Sequence, residues 1–200
     1  MIANTVLAII VAYLLGSIPT GYLITRQTRG VDIREIGHHY SGAKNVYMEV
    51  GRVAGAATAI GDIAKGALAI LQTKFVEVPD AALVLIGLAV IAGHVWPIFL
   101  QFRGGAGFAT ALGVTFAALP RESLLLLLPY LVLLMTAGRR FGLGVSSAPL
   151  LIPLVLLSWW LGEPPALIVL PLILGILVGA KVYWHELGEI LRSFFGRGVA

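Results

Sequence analysis

Apolar runs recur along this chain, each broken by a short polar or glycine-rich interval. The first covers residues 2–25, where Ser17, Pro19, Thr20 and Gly21 put a kink and hydroxyls near its far end. A polar connection from Arg26 to Arg52 follows, far longer than an ordinary helix–helix link. Further runs cover 53–72, 81–100, 107–119, 124–136, 145–161 and 166–183. Between them lie Lys74 to Asp80, a glycine-rich turn at 101–107, Pro120-Arg121-Glu122, Gly138-Arg139-Arg140-Phe141-Gly142 and Gly162-Glu163-Pro164-Pro165. His185 to Ala200 read as a polar, basic tail. Helical runs near ~18–20 residues match the apolar thickness of a bilayer. The pattern predicts an all-α polytopic membrane protein of about seven transmembrane helices. The fourth, 107–119, is expected to be tilted or only partly inserted.

Composition sharpens this picture. The chain is 58% hydrophobic and 12% charged, with a mean hydropathy of +0.94. Soluble chains carry about 25% charged residues, so too little charge is present to coat a globule. Residues 1–200 are expected to form a single integral-membrane domain with no separate soluble part. The chain has no cysteine, which removes disulfides, thiolate chemistry and zinc–sulfur sites. No repeat of the kind that marks many transporters stands out.

Charge orients the runs. With the N-terminus outside, the inner connections hold Arg26, Arg29, Arg34, Lys44, Arg52, Arg103, Arg139, Arg140, Lys181, Arg192 and Arg197. The outer ones hold Lys74 and Arg121, and Lys65 lies within a span. Eleven against two predicts an outside N-terminus and a cytoplasmic C-terminus. The first run has no basic residue before it, which reads as an uncleaved span rather than a signal peptide. The connection at 26–52 and the turns at 101–107 and 138–144 then share the cytoplasmic face.

Three places could carry chemistry. Gly104-Gly105-Ala106-Gly107 opens a helix, where exposed backbone N–H groups and the helix dipole favour an anion. Arg103 beside it can grip phosphate with two nitrogens, and His94 can add a donor. The same glycines also suit a tight turn and close helix packing. In the long connection, His38, His39, Lys44 and Asn45, with Gly42, could surround a phosphate. Adjacent histidines could hold a metal, although the usual helical pair is spaced i, i+4 with a carboxylate. A basic loop could also simply attract anionic headgroups. Asp62 and Lys65 lie one helical turn apart inside a span. They form either a functional pair or a self-satisfied one whose lysine snorkels outward. No histidine is followed five residues later by aspartate, and GxSxG and P-loop patterns are missing. Nothing calls for a cofactor, a metal or nucleic acid, and no pattern signals an oligomeric state.

Together the motifs resemble the small bacterial integral-membrane glycerol-3-phosphate acyltransferases that use acyl phosphate as donor. The resemblance runs through Gly16-Ser17-Ile18-Pro19-x-Gly21-Tyr22 and Gly30-Val31-Asp32-Ile33-Arg34-x-Ile36-Gly37. It continues with Gly42, Ala43, Asn45 and Val46, then Gly51, Asp62, Lys65 and Gly66. The glycine turn matches at full spacing, from Gly93-His94-x-x-Pro97 through Phe102-Arg103-Gly104-Gly105-x-Gly107 to Thr110. Arg140 and Ser146 fit a third cytoplasmic motif more loosely.

The resemblance implies seven spans in the bacterial inner membrane, with the active face cytoplasmic. It also implies acyl phosphate and glycerol-3-phosphate as substrates, membrane lipids as surroundings, and no cofactor. Lys44, Asn45 and His94 are the expected catalytic residues. His38, Gly42, Arg103, Gly104, Gly105, Gly107 and Ser146 are expected to bind substrate phosphate. The chain departs from the family pattern at His38, Tyr40, Lys44 and Met48, where serine, asparagine, threonine and arginine are usual, and at Ala106, where lysine is. A second reading follows from these departures: a catalytically impaired paralogue that binds a lipid phosphate or partners an active enzyme. A transporter working through Asp62 and Lys65 is a third.

Overall fold

The computed structural model describes residues 1–136 and 150–195. The first apolar run is two helices, α1 (Ile2–Ser17) and α2 (Thr20–Arg29). They part at Ile18, which is held extended, φ −62° and ψ 114°, as a residue before proline prefers. Pro19 has no N–H to continue the ladder. The long connection contains a single 3-10 turn (Ile33–Glu35) and one short α-helix, α3 (Ala43–Glu49). There follow α4 (Arg52–Leu71), α5 (Asp80–Val95), α6 (Phe108–Ala118), α7 (Pro120–Thr136), α8 (Leu151–Trp160) and α9 (Pro165–Phe195). The described residues contain no strand.

Two boundaries differ from the hydropathy pattern. Pro120-Arg121-Glu122 is the opening of α7 rather than a turn, because proline at the first helical position loses no hydrogen bond. The same holds for Pro165 at the start of α9, whose backbone stays helical to Phe195 through most of the stretch that reads as a tail. Ile2–Arg29, Arg52–Phe75 and Asp80–Leu100 are long and apolar enough to cross a membrane, and three shorter apolar helices accompany them. Side chains such as Leu7 and Ile10 of α1, Ile60 of α4, Leu128 of α7 and Leu156 of α8 point outward. That is the surface of a protein solvated by lipid.

Glycine pairs draw four helices together. Where α1 crosses α5, a Cβ on Gly16 would overlap the carbonyl of Val90, and one on Gly93 would overlap that of Tyr13. Where α4 crosses α6, Gly66 abuts the carbonyl of Thr110 and Gly113 that of Ile63. Backbones meet this closely only across small residues, the usual way helices pack in lipid. Ile86, Val90, Ile91, Val114, Leu170 and Leu174 fill the core beside these crossings. Two polar bonds tie α1 to its neighbours: Gln72 donates to Ala8 O at 3.0 Å, and the Tyr13 hydroxyl to Trp96 O at 2.9 Å.

Candidate active site

Both crossings carry polar residues next to their glycines, and these converge on Asp62. It is 2% exposed. The Lys65 ammonium lies 2.9 Å from its Oδ1, and the Thr20 hydroxyl donates to the same oxygen at 2.5 Å. His94 Nδ1 stands 3.5 Å from Oδ1 and 3.1 Å from the Thr110 hydroxyl. Lys65 makes a second bond, to the carbonyl of Ile18 at 3.0 Å. The i, i+3 pair therefore holds both sides of the α1–α2 break, Asp62 through Thr20 and Lys65 through Ile18. Asp62 and Lys65 thus each have a counter-charge and a further hydrogen bond, the condition for tolerating such charges inside a bundle.

The glycine turn sits on this cluster. Gly104 N–H donates to Val95 O at 3.1 Å and Gly105 N–H to His94 O at 3.2 Å. This corrects the expectation that these amides are exposed for an anion. The last carbonyls of a helix lack intrahelical donors, and the turn folds back to serve those of α5. The ring of His94 lies against Gly105, where a Cβ would overlap Nε2. Gly107, at φ 89°, caps α6 in the left-handed region. Arg103 is exposed on the outer side of the turn.

The connection at 26–52 folds around Asn45, which is fully buried. Its Nδ2 is within bonding distance of the carbonyls of Ile33, Ile36 and Tyr40 at 3.0, 3.1 and 2.9 Å. Its Oδ1 accepts the His38 N–H at 2.9 Å. The Asn45 amide is thus committed to loop backbone. Lys44, next to it in the first turn of α3, is exposed. His38 is half-buried with its ring 6.0 Å from that of Tyr40. His39 takes φ 57° and sets Nδ1 3.2 Å from Arg34 O. Gly42 is the N-cap of α3 and lies against the Tyr40 ring.

Arg34 joins the two loops, a role the residue pattern does not reveal. Its guanidinium bonds both oxygens of Asp32, the shortest at 2.6 Å, and Nη1 donates to Leu100 O at 2.8 Å. It also lies 5.5 Å from the centre of the Tyr22 ring. The bonded Arg34 side chain holds the Asp32 carboxyl below its ordinary range, and the nearby charge of Arg103 adds to this. Asp32 in turn raises the guanidinium. Arg34 and Asp32 therefore bring the loop with Lys44 beside the turn with Arg103.

A family profile described as glycerol-3-phosphate acyltransferase matches residues 6–196. The chain belongs to this family. A glycerol-3-phosphate acyltransferase of Geobacter metallireducens is 41% identical over 181 residues, 90% of this chain and 89% of that one. One from Prochlorococcus marinus is 36% identical over 186 residues, 92% of each chain. The solved structure of an integral membrane glycerol 3-phosphate acyltransferase, in its glycerol 3-phosphate form, has a TM-score of 0.76 at 31% identity. The likeness covers 96% of this chain and 93% of that one. Its lysophosphatidic acid form gives 0.75.

In this acyltransferase the expected site residues therefore form two layers. Lys44 and Arg103 are exposed, whereas Asp62, Lys65 and His94 are buried. Ser146 and Arg140 fall outside the described residues. Thr20 and Thr110 complete the buried layer and are absent from the sequence-based set. Their signal is a hydroxyl beside a helix break or glycine crossing, which means little until the helices are brought together.

Proposed function

We propose that this chain transfers a fatty acyl group from acyl phosphate to glycerol-3-phosphate, giving lysophosphatidate and inorganic phosphate for phospholipid synthesis. The observation that carries this reading is the co-linear likeness over residues 6–196 to a family whose solved member is named in both glycerol 3-phosphate and lysophosphatidic acid forms. The acceptor hydroxyl oxygen attacks the acyl carbonyl carbon, and the bond from that carbon to the phosphate oxygen breaks. The departing phosphate takes the hydroxyl proton, so no side chain has to serve as base. What remains for the chain is to hold two phosphates together and offset their charge, by positioning and electrostatics. Lys44 and Arg103 are the cations exposed for this. His38 and the backbone around Gly42 and Gly107 frame the phosphates, with Ser146 added from the third motif. His94 and Asn45 act through the backbone they hold.

The charge pattern supports placing this face on the cytoplasmic side of the bacterial inner membrane. It fits seven spans, an outside N-terminus and a cytoplasmic C-terminus. Because the chain lacks cysteine, single cysteines in place of Lys44 and Lys74 can be labelled from either side. Lys44→Cys should react only from the cytoplasm and Lys74→Cys only from outside.

The deciding assay incubates purified protein with glycerol-3-phosphate and either acyl phosphate or acyl-CoA. Lysophosphatidate formed from acyl phosphate supports the reading. No product from either donor would sink it and favour the impaired paralogue.

A further inference from the structure

We propose that Asp62 is a positioning residue for the transfer. It fixes His94, and His94 seats the glycine turn that carries Arg103, while Asp62 itself touches no substrate. The kinetic part of this inference rests on the acyltransferase reading; the structural part does not.

The buried cluster contains a redundancy. Lys65, one turn away and 2.9 Å from Oδ1, already neutralises Asp62. The carboxylate nevertheless also draws in His94 from α5, 3.5 Å away. With the Nδ1 proton shared between Asp62 and the Thr110 oxygen 3.1 Å away, the imidazole plane is set and Nε2 is left against the backbone of Gly105. The turn is then held to residue 94 twice, through the ring and through the bond from Gly105 N–H to His94 O. The bond from Gly104 N–H to Val95 O is a third point of contact one residue on. The glycine crossings hold the helices without this help, since backbone meets backbone at both. What the His94 contact adds is a defined seat for residues 103–107.

The test compares wild type, Asp62→Asn and Asp62→Glu, purified at full length in the same detergent. Hydrogen exchange read by mass spectrometry should show peptides over 101–108 exchanging at least ten-fold faster in Asp62→Asn. Peptides over 12–17 and 86–93, at the α1–α5 crossing, should be unchanged. In the assay, Asp62→Asn should raise KM for at least one phosphate substrate ten-fold or more, with kcat within three-fold, and Asp62→Glu should recover part of that loss. Unchanged exchange at 101–108, equal loosening of every helix, or unchanged KM for both substrates would each overturn the inference. A wild type inactive with every donor would sink the acyltransferase reading, and the exchange experiment would still decide this one. Should Asp62→Asn fail to fold, His94→Gln is read in the same exchange experiment with the same expected pattern.

Discussion

The imidazole of His94 and the backbone of Gly105 touch so closely that residue 105 has no room for a side chain. Gly105→Ala must push the ring away from Asp62 and Thr110 or lift the turn. Overpacking of this kind costs about 1–3 kcal/mol. Activity should fall ten-fold or more. In a His94→Ala background the same methyl meets no ring, so its effect should shrink by about 0.5–3 kcal/mol of coupling in a double-mutant cycle read by thermal unfolding. Strict additivity would show that the contact carries no energy.

A second prediction concerns the crossings. Gly113→Val places a branched side chain on the Ile63 carbonyl and should prevent α4 from meeting α6. Yield and thermal midpoint in detergent should drop sharply. Gly179→Ala is the matched control, because a Cβ there meets nothing within 4 Å. It should be neutral or gain up to about 1 kcal/mol from helix propensity.

Asn45→Ala removes the two N–H groups shared among three loop carbonyls and the acceptor of the His38 N–H. Leaving such buried groups unpaired costs about 1–3 kcal/mol for each one that water cannot reach. The loop from Ile33 to Tyr40 should loosen while the helices persist. Limited proteolysis should cut at Arg34 in the variant and spare the wild type.

Acid should act on the clip between the loops. The folded Asp32 carboxyl titrates below its ordinary value of 3.8, so the folded state holds its proton less readily than the unfolded one. Its contribution to stability is present above that value and lost as pH falls through the folded pKa. The loop should therefore detach below about pH 4, seen as faster exchange over 31–36. Asp32→Asn should show the detached behaviour already at neutral pH and lose that acid step.

Lys44→Ala tests the exposed layer. Lys44 stands in the first turn of α3, on the loop that Arg34 brings beside Arg103. Removing a charge that stabilises the reacting phosphate costs about 10²–10³ in kcat. Activity should be lost at that scale with the thermal midpoint unchanged. Wild-type rates would remove Lys44 from the site.

Much of the helical layout could be read from apolar runs, because a segment surrounded by lipid must satisfy its own backbone. The break at Pro19 was equally legible, since proline withholds a donor wherever it sits. The Asp62–Lys65 pair followed from helical spacing alone. What spacing could not give was direction. Thr20 reaches Asp62 across 42 positions, and Arg34 reaches Leu100 across 66, so neither partner has a local signature. The amides of Gly104 and Gly105 misled for the same reason. A glycine run at a helix start looks like an anion nest until the preceding helix is seen to need those donors. Asn45 was expected among the catalytic residues, and its environment of three carbonyls exists only once the loop has closed.

The two-sided hold on the α1–α2 break bears on how the chain is assembled at the ribosome. When α4 emerges carrying a carboxylate and an ammonium, Ile18 and Thr20 have already been synthesised, and each charge finds its partner among residues already made or in the same helix. His94 arrives later and completes a cluster that is neutral without it. Moving Asp62 and Lys65 ahead of the break, as a circular permutation would, asks the pair to enter the bilayer before the Thr20 hydroxyl and the Ile18 carbonyl that complete its hydrogen bonding. The order of the segments along the chain therefore supplies those partners before the charged pair arrives.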